Sequence, residues 1–191
     1  AEGVGAVIGM VEMEYDSGDE SKPAVALTSA GVTTPCANRA RELLEDLGYE
    51  VIAIHCNGIG AQAMEEMADA GKLAGIFDLS PDDITDYLFG GIMPATAKRL
   101  QASCRRGVPL VVAPGCADIV LYGPVEDIPS DILKRKYVIH NPIHTHVKAN
   151  HSEMFKLGQF IAERLVQSKG YATVLVPTQG FSQLNRAGGP I

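Results

Sequence analysis

The chain has 191 residues, of which 46% are hydrophobic and 20% charged, a balance that suits one globular domain with a sizeable core. Its 23 acidic and 16 basic side chains leave a formal charge of −7, which argues against general nucleic-acid binding, because phosphate contacts need clustered Lys and Arg. No apolar run nears the roughly 18 residues of a membrane span, no basic and apolar leader opens the chain, and Cys36, Cys56, Cys104 and Cys116 form no CxxC pair, so the chain reads as cytoplasmic with reduced thiols.

Residues 1–22 read as an interdomain linker or exposed lead-in, since Val11–Lys22 (VEMEYDSGDESK) is acidic and poor in core formers. The α/β domain starts at 23. Ala24–Ser29 (AVALTS) predicts a strand. Thr34-Pro35 predicts a helix start, with Thr34 as cap and Pro35 at the first helical position. Ala37, Ala40, Leu43, Leu44 and Leu47 mark the face of that helix, and Gly48 its end.

The pattern repeats. Tyr49–His55 is a strand, Asn57-Gly58-Ile59-Gly60 a glycine-rich turn, and Ala61–Ala70 a helix stopped at Gly71. Ala74–Leu79 is a third strand, followed by a cap and first-turn proline at Ser80-Pro81, with Asp83 favouring the helix start. Pro94–Arg106 predicts a helix, Pro109–Ala113 a fourth strand, and Ile119–Lys136 an irregular lid or subunit contact. The basic run Lys134-Arg135-Lys136 is short and suits a solvated helix end. Asn150 and Glu153 form a capping box before a helix with Met154, Leu157, Ile161 and Leu165 inward and Gly170 as its stop, and Tyr171–Val176 is a last strand. Strands alternating with amphipathic helices predict βαβ units in a doubly wound, mostly parallel sheet covered on both faces, a Rossmann/flavodoxin-like three-layer sandwich. The abrupt finish after Gly188-Gly189-Pro190 reads as a domain truncated at its C-terminus.

In an open parallel sheet, ligands bind beyond the carboxyl ends of the strands. Gly31, Thr33 and Thr34 form the best phosphate candidate, because glycine admits close backbone approach and a helix N-terminus offers N–H groups. Asn57, Gly58 and Gly60 resemble it, and Gly115, Gly180 and Ser182 follow later strands. Neither early loop is a Walker A or a full GxGxxG, and the same residues are ordinary in βα turns. Asp78 and Asp118, each next to a strand end, are the candidates for a base or a metal–phosphate contact, and thus the catalytic candidates. Cys56 and Cys116 give a weaker nucleophile reading. His144 and His146 share a face of an extended segment and suggest a metal pair, but no Cys, Asp or Glu is adjacent to complete it. Packed histidines near a subunit contact are the bland alternative.

Several motifs together carry a resemblance. Thr28-Ser-Ala-Gly-Val-Thr-Thr-Pro35, Phe77-Asp78-Leu79-Ser80, Val112-Ala-Pro-Gly-Cys-Ala-Asp118, Val138-Ile-His-Asn-Pro142 and Pro177-Thr-Gln-Gly-Phe-Ser182 resemble the C-terminal half of an uncharacterised two-domain family of ATP-binding type, similar to the tomato mosaic virus resistance protein. The resemblance implies two facing α/β domains, a nucleotide site, and a homodimer or higher oligomer. The first domain of that pattern is missing, so a site between domains would be half present. The family's pattern includes His140, Asn141, Thr145 and Lys148 but not His144 or His146, which weakens the metal reading. It favours Lys148 as a phosphate-facing charge and His140 and Asn141 as hydrogen-bonding groups. The expectation is a domain that binds ATP or a phosphorylated small molecule, with magnesium held by Asp118 or Asp78. The rival is an oligomerisation module without catalysis, built on Ile119–Lys148.

Overall fold

A computed structural model describes residues 2–13 and 22–191. Most of the acidic stretch read as a linker, residues 14–21, lies outside the described residues. Before it, Glu2–Glu12 forms helix α1, with Val4, Val7, Ile8 and Val11 exposed.

The five expected strands form one parallel sheet, four of them shorter than the predicted runs. Strands β1 (Ala24–Ser29), β2 (Glu50–His55), β3 (Gly75–Asp78), β4 (Leu110–Val112) and β8 (Ala172–Val174) are parallel, in the order β2-β1-β3-β4-β8. The chain runs outward from β1 to β2, then returns across β1 to β3, so the direction of winding reverses between β1 and β3. Helices α2 (Thr34–Asp46), α3 (Gly58–Asp69), α4 (Asp82–Phe89), α5 (Gln101–Arg106) and α6 (His151–Leu165) join the strands. On one face, Ala26, Ile76, Leu110 and Val112 pack with Met64 and Ala68 of α3, Cys104 of α5, and Leu157 and Ile161 of α6. On the other, Leu27 and Ala113 pack with Ala37 of α2. Alternate strand residues thus feed two cores, which is the three-layer sandwich.

Several local expectations change. Pro81, not Ser80, holds the cap position of α4, and α3 starts at Gly58 rather than Ala61. Thr33, not Thr34, precedes α2, because a single 3₁₀ turn over Gly31–Thr33 runs straight into the helix. On α2 itself Leu43 and Leu47 stay exposed. The helix predicted over 94–106 is cut to Gln101–Arg106, since Leu100 adopts φ 67°. Glu65 of α3 holds that break, accepting the N–H groups of Leu100 at 2.7 Å and Ala102 at 2.8 Å. Gly170 does not end α6, which stops at Leu165. Its Cα packs against the Gly107 backbone, where a Cβ would collide with the Gly107 carbonyl.

The larger correction is 119–148. The segment read as irregular contributes β5 (Ile119–Tyr122), and with β6 (Tyr137–Asn141) and β7 (His144–Lys148) it builds a second, antiparallel sheet in the order β5-β7-β6. Thr145 and Val147 of β7 face inward, while His144, His146 and Lys148 share the opposite side. No helix among the described residues is long and apolar enough to cross a membrane.

Candidate functional site

A crevice of about 430 Å³ opens at the carboxyl ends of the parallel strands, beside the β1–β3 reversal. Its walls are largely apolar: Phe77, Leu79 and Ala113 from the strand ends, Leu175, Val176 and Pro177 beyond β8, with Pro35 and Phe181. The polar lining is Thr33, Cys36, Ser182, Gln183 and Arg186. The crevice exists because this face of the sheet is covered by α2 to one side, while the 180–191 loop folds over the other. Gly180 allows that fold at φ +113°, with Arg186 Cα only 2.8 Å from where a Cβ would stand.

Gly115 is the point where the loops meet. A Cβ there would lie 2.5 Å from the Leu79 carbonyl, 3.3 Å from Thr33 Cγ2 and 3.5 Å from the Phe181 carbonyl. Three strand-end loops therefore close on a position that only glycine fits without displacement. The next residue, Cys116, takes φ 61° and donates its N–H to the Phe181 carbonyl at 2.8 Å.

Of the residues singled out from sequence, the crevice collects Thr33, Gly115, Gly180 and Ser182. Thr33 has a structural duty. Its Oγ1 donates to the Ala30 carbonyl (2.9 Å), accepts from the Ala30 N–H (3.0 Å) and lies 2.7 Å from Ser80 Oγ, so its hydroxyl is fully engaged. The Thr34 N–H donates to the Gly31 carbonyl, and Pro35 has no N–H to give. Two of the first-turn donors a phosphate would use on α2 are therefore gone. Gly31 and Thr34 stand exposed at the rim.

The second glycine loop lies elsewhere, at the start of α3. Asn57 Oδ1 caps the helix through the Gly60 N–H at 2.8 Å. Gly58 packs on the Pro94 carbonyl and Gly60 on the His55 carbonyl, each too close for a Cβ. Helix packing thus accounts for these glycines. Gly58 borders a groove of about 540 Å³ between α3 and α5, in which Glu65, Asp69, Arg99 and Arg105 are tied up in contacts of the framework. Glu65 caps α5, and Asp69 binds Arg105 at 2.7 Å and Arg106 at 3.3 Å.

Both carboxylates proposed for chemistry are committed to the framework. Asp118 is 1% exposed. Its Oδ2 accepts from Lys148 Nζ and from Asn185 Nδ2 at 2.6 Å. Asn185 Oδ1 in turn receives the N–H groups of Phe181 (2.7 Å) and Ser182 (3.0 Å). The Asp118–Lys148 pair thereby orients the loop that roofs the crevice, from behind it. Asp78 is fully buried on the opposite face of the sheet, paired with Arg99 at 2.8 Å.

Arg99 is the group that sequence reasoning overlooked. It is 1% exposed. Nη2 donates to Asp78 Oδ1 at 2.9 Å and Nε to Asp83 Oδ2 at 3.1 Å, while Nη1 lies 3.7 Å from Glu65. Burial opposes its charge, but Asp78 and Asp83 outweigh burial and hold its pKa up. From Arg99 the hydrogen bonds cross the sheet to the crevice: Thr28 Oγ1 donates to Asp78 Oδ1 (2.8 Å), the Ser80 N–H to Thr28 Oγ1 (3.1 Å), and Ser80 Oγ meets Thr33 Oγ1. Asp83 was legible only as a favourable helix-start charge. No spacing rule announces a partner on a different loop.

The nucleophile reading of Cys56 and Cys116 finds no support in the geometry. Both are buried, and burial is the main cause pushing each thiol up, with Asp83 adding to it at Cys56 and Asp82 at Cys116. Cys36, by contrast, is exposed on the crevice wall.

His140 and Asn141 sit on the β6–β7 hairpin, apart from the crevice lining. Asn141 closes its turn, with Oδ1 accepting the Ile143 N–H at 2.9 Å. The His140 and His146 rings meet edge to face at 5.1 Å. Among the described residues no group of three His, Cys, Asp or Glu is placed to hold a metal ion. Burial first, then His140 and His144, lower the His146 pKa to about 4. Between about pH 6.5 and 4 the unfolded chain takes up a proton at this residue that the folded chain refuses, so its contribution to stability falls as pH falls. Burial pushes Asp86 up to about 6, and its contribution runs the other way, rising as pH falls from 6 toward 4. His146→Gln is expected to remove the first effect only. Its unfolding free energy should gain on the parent as pH drops through this window, by at most about 1.4 kcal/mol per unit, less what solvent at the half-buried ring screens. Urea denaturation at pH 6.5, 5.5 and 4.5 measures this, and parallel curves for both proteins would refute it.

The C-terminal-domain profile of an uncharacterised protein family, UPF0261, matches residues 22–191. A UPF0261 protein of Clostridium tetani is 36% identical over 183 residues, covering 96% of this chain and 45% of that protein. The ToMV resistance protein Tm-1 of Solanum lycopersicum is 35% identical over 185 residues, covering 96% of this chain and 24% of that protein. The chain thus spans less than half the length of either relative. Among solved structures, DmrB of Burkholderia xenovorans, a cubic cage in complex with FMN, aligns over 84% of this chain and 90% of its own at a TM-score of 0.37 and 11% identity.

Proposed function

The chain belongs to the uncharacterised protein family UPF0261, of which it carries the C-terminal domain, and from that premise we propose that the domain binds a nucleotide or another phosphorylated small molecule in the crevice at the carboxyl ends of β1, β3 and β4. One observation carries the reading. The crevice lies beside the winding reversal of a parallel sheet, where such folds place their ligands, and it joins apolar walls to a few polar groups and one cation, the usual make-up of a small-molecule site. Lys148 and Asp118 serve it indirectly by holding Asn185 and the roof loop.

Cys36 offers a direct test, because the other three cysteines are buried. The rate of iodoacetamide labelling at Cys36 should fall severalfold, and saturably, when a bound ligand covers the wall. A set comprising ATP, AMP and inorganic phosphate, each followed by labelling and by calorimetry, provides the assay. Labelling unchanged at millimolar concentration of every compound, with no heat, would count against the reading.

A second reading is favoured by β6. It is one of the two outer strands of the antiparallel sheet, and Tyr137, Ile139 and Ile143 are exposed along its hairpin. An edge of this kind can pair with a second copy. Sedimentation should then show a concentration-dependent dimer that Ile139→Lys abolishes, and a monomer at all concentrations would remove the reading.

A further inference from the structure

We propose that the crevice selects a nucleoside monophosphate and binds it without a divalent cation: a planar base against the apolar walls and a single phosphate on Arg186. The inference rests on the small-molecule reading above and narrows it to a ligand class.

The charge of the lining sets the class. Among the sixteen residues around the crevice, Arg186 is the one cation, and no carboxylate is present. Arg186 has no ion-pair partner among the described residues. A guanidinium can grip one phosphate through two parallel hydrogen bonds. It cannot balance a triphosphate, whose several charges require further cations or magnesium. The magnesium that a triphosphate would bring has nothing to hold it, since magnesium sites use one or two carboxylates. Of the carboxylates at the strand ends, Asp78 is engaged by Arg99 and Thr28 and Asp118, through Oδ2, by Lys148 and Asn185, and none of them lines the crevice. The phosphate cradle at α2 is also thin, because Pro35 and the internally bonded Thr34 withhold their N–H groups.

The remaining lining suits the rest of such a ligand. Phe77, Leu79, Val176 and Phe181 offer apolar faces to a flat ring. The Gln183 amide can read polar groups on its edge. Ser182 Oγ accepts the Leu184 N–H at 3.1 Å and keeps its own hydrogen to donate. A crevice of about 430 Å³ is at the small end for ligand sites and favours a mononucleotide over a longer phosphate chain.

The test is calorimetric titration of this chain with AMP, adenosine, inorganic phosphate, and ATP with and without magnesium, repeated on Arg186→Gln. AMP is expected to bind at least tenfold more tightly than adenosine or phosphate, with the same affinity in EDTA and in magnesium. Arg186→Gln should reduce AMP to the affinity of adenosine and leave adenosine unchanged. Because Arg186 is exposed, the variant should fold, and an unchanged thermal midpoint checks this. Magnesium-dependent ATP binding tighter than AMP would overturn the monophosphate inference while keeping the phosphorylated-ligand reading. AMP binding that survives Arg186→Gln unaltered would overturn the assignment of the phosphate to Arg186. Binding of none of the probes would end both the inference and the reading beneath it.

Discussion

Replacing Arg99 with methionine is expected to destabilise the fold by about 3–5 kcal/mol, the range for breaking a buried ion pair. The side chain is almost fully enclosed and holds Asp78 and Asp83, both at 1% exposure or less. Methionine fills much of the volume, so a cavity explains little of the loss. The cost arises because two carboxylates remain inside with no opposite charge, and each must either stay ionised against burial or take up a proton. Since whole domains are stable by only about 5–15 kcal/mol, the variant should melt early or fail to accumulate. A double variant separates charge from shape: adding Asp83→Asn to Arg99→Met removes one uncompensated anion and should recover part of the loss. Chemical denaturation of the three proteins measures this. If the double variant is no more stable than Arg99→Met, the charge argument does not hold.

The second large effect is expected at Gly115. Alanine there sets a methyl 2.5 Å from the Leu79 carbonyl and 3.3 Å from Thr33 Cγ2, both in buried parts of the framework. Backbone has to move, at a cost of about 1–3 kcal/mol for overpacking. What distinguishes Gly115→Ala is where the movement goes. The strand-end loops that meet at this residue are the crevice walls, so iodoacetamide labelling of Cys36 should change as well, and AMP binding should weaken at least tenfold. Gly58→Ala is the control. It drives a methyl into the Pro94 carbonyl but lies outside the crevice lining, so it should lose stability while Cys36 labelling in the folded protein stays as in the parent. Equal labelling and equal binding in Gly115→Ala and the parent would refute the role assigned to this glycine.

Much of the framework was legible because its signals are local. Ala24–Ser29 was delimited as observed, since an apolar β-branched run between Pro23 and a turn has few alternatives. Asn150 and Glu153 predicted their reciprocal cap, which forms at 3.0 and 2.8 Å, because both partners lie within one helical turn. The parallel sheet followed from alternation of strands and helices. The break at Leu100 was not legible, because the carboxylate that holds it comes from Glu65 on another helix. The antiparallel sheet was missed for a related reason: β5 is four residues long, and its partner β7 starts 25 residues after Ile119.

The candidate site divides along the same line. By itself the sequence determined that small and polar residues, among them Thr33, Gly115, Gly180 and Ser182, would gather beyond the strand ends, because the βα order puts them there whatever the packing. It could not determine which polar groups remain free for a ligand. Thr33, Asp78 and Asp118 are engaged by Ser80, Arg99 and Asn185, residues 47, 21 and 67 positions away, while Arg186 is left facing the crevice. Only the tertiary structure decided this, because a hydrogen bond or ion pair satisfies a group through proximity in space, and burial makes that partner obligatory without leaving a mark in the local sequence.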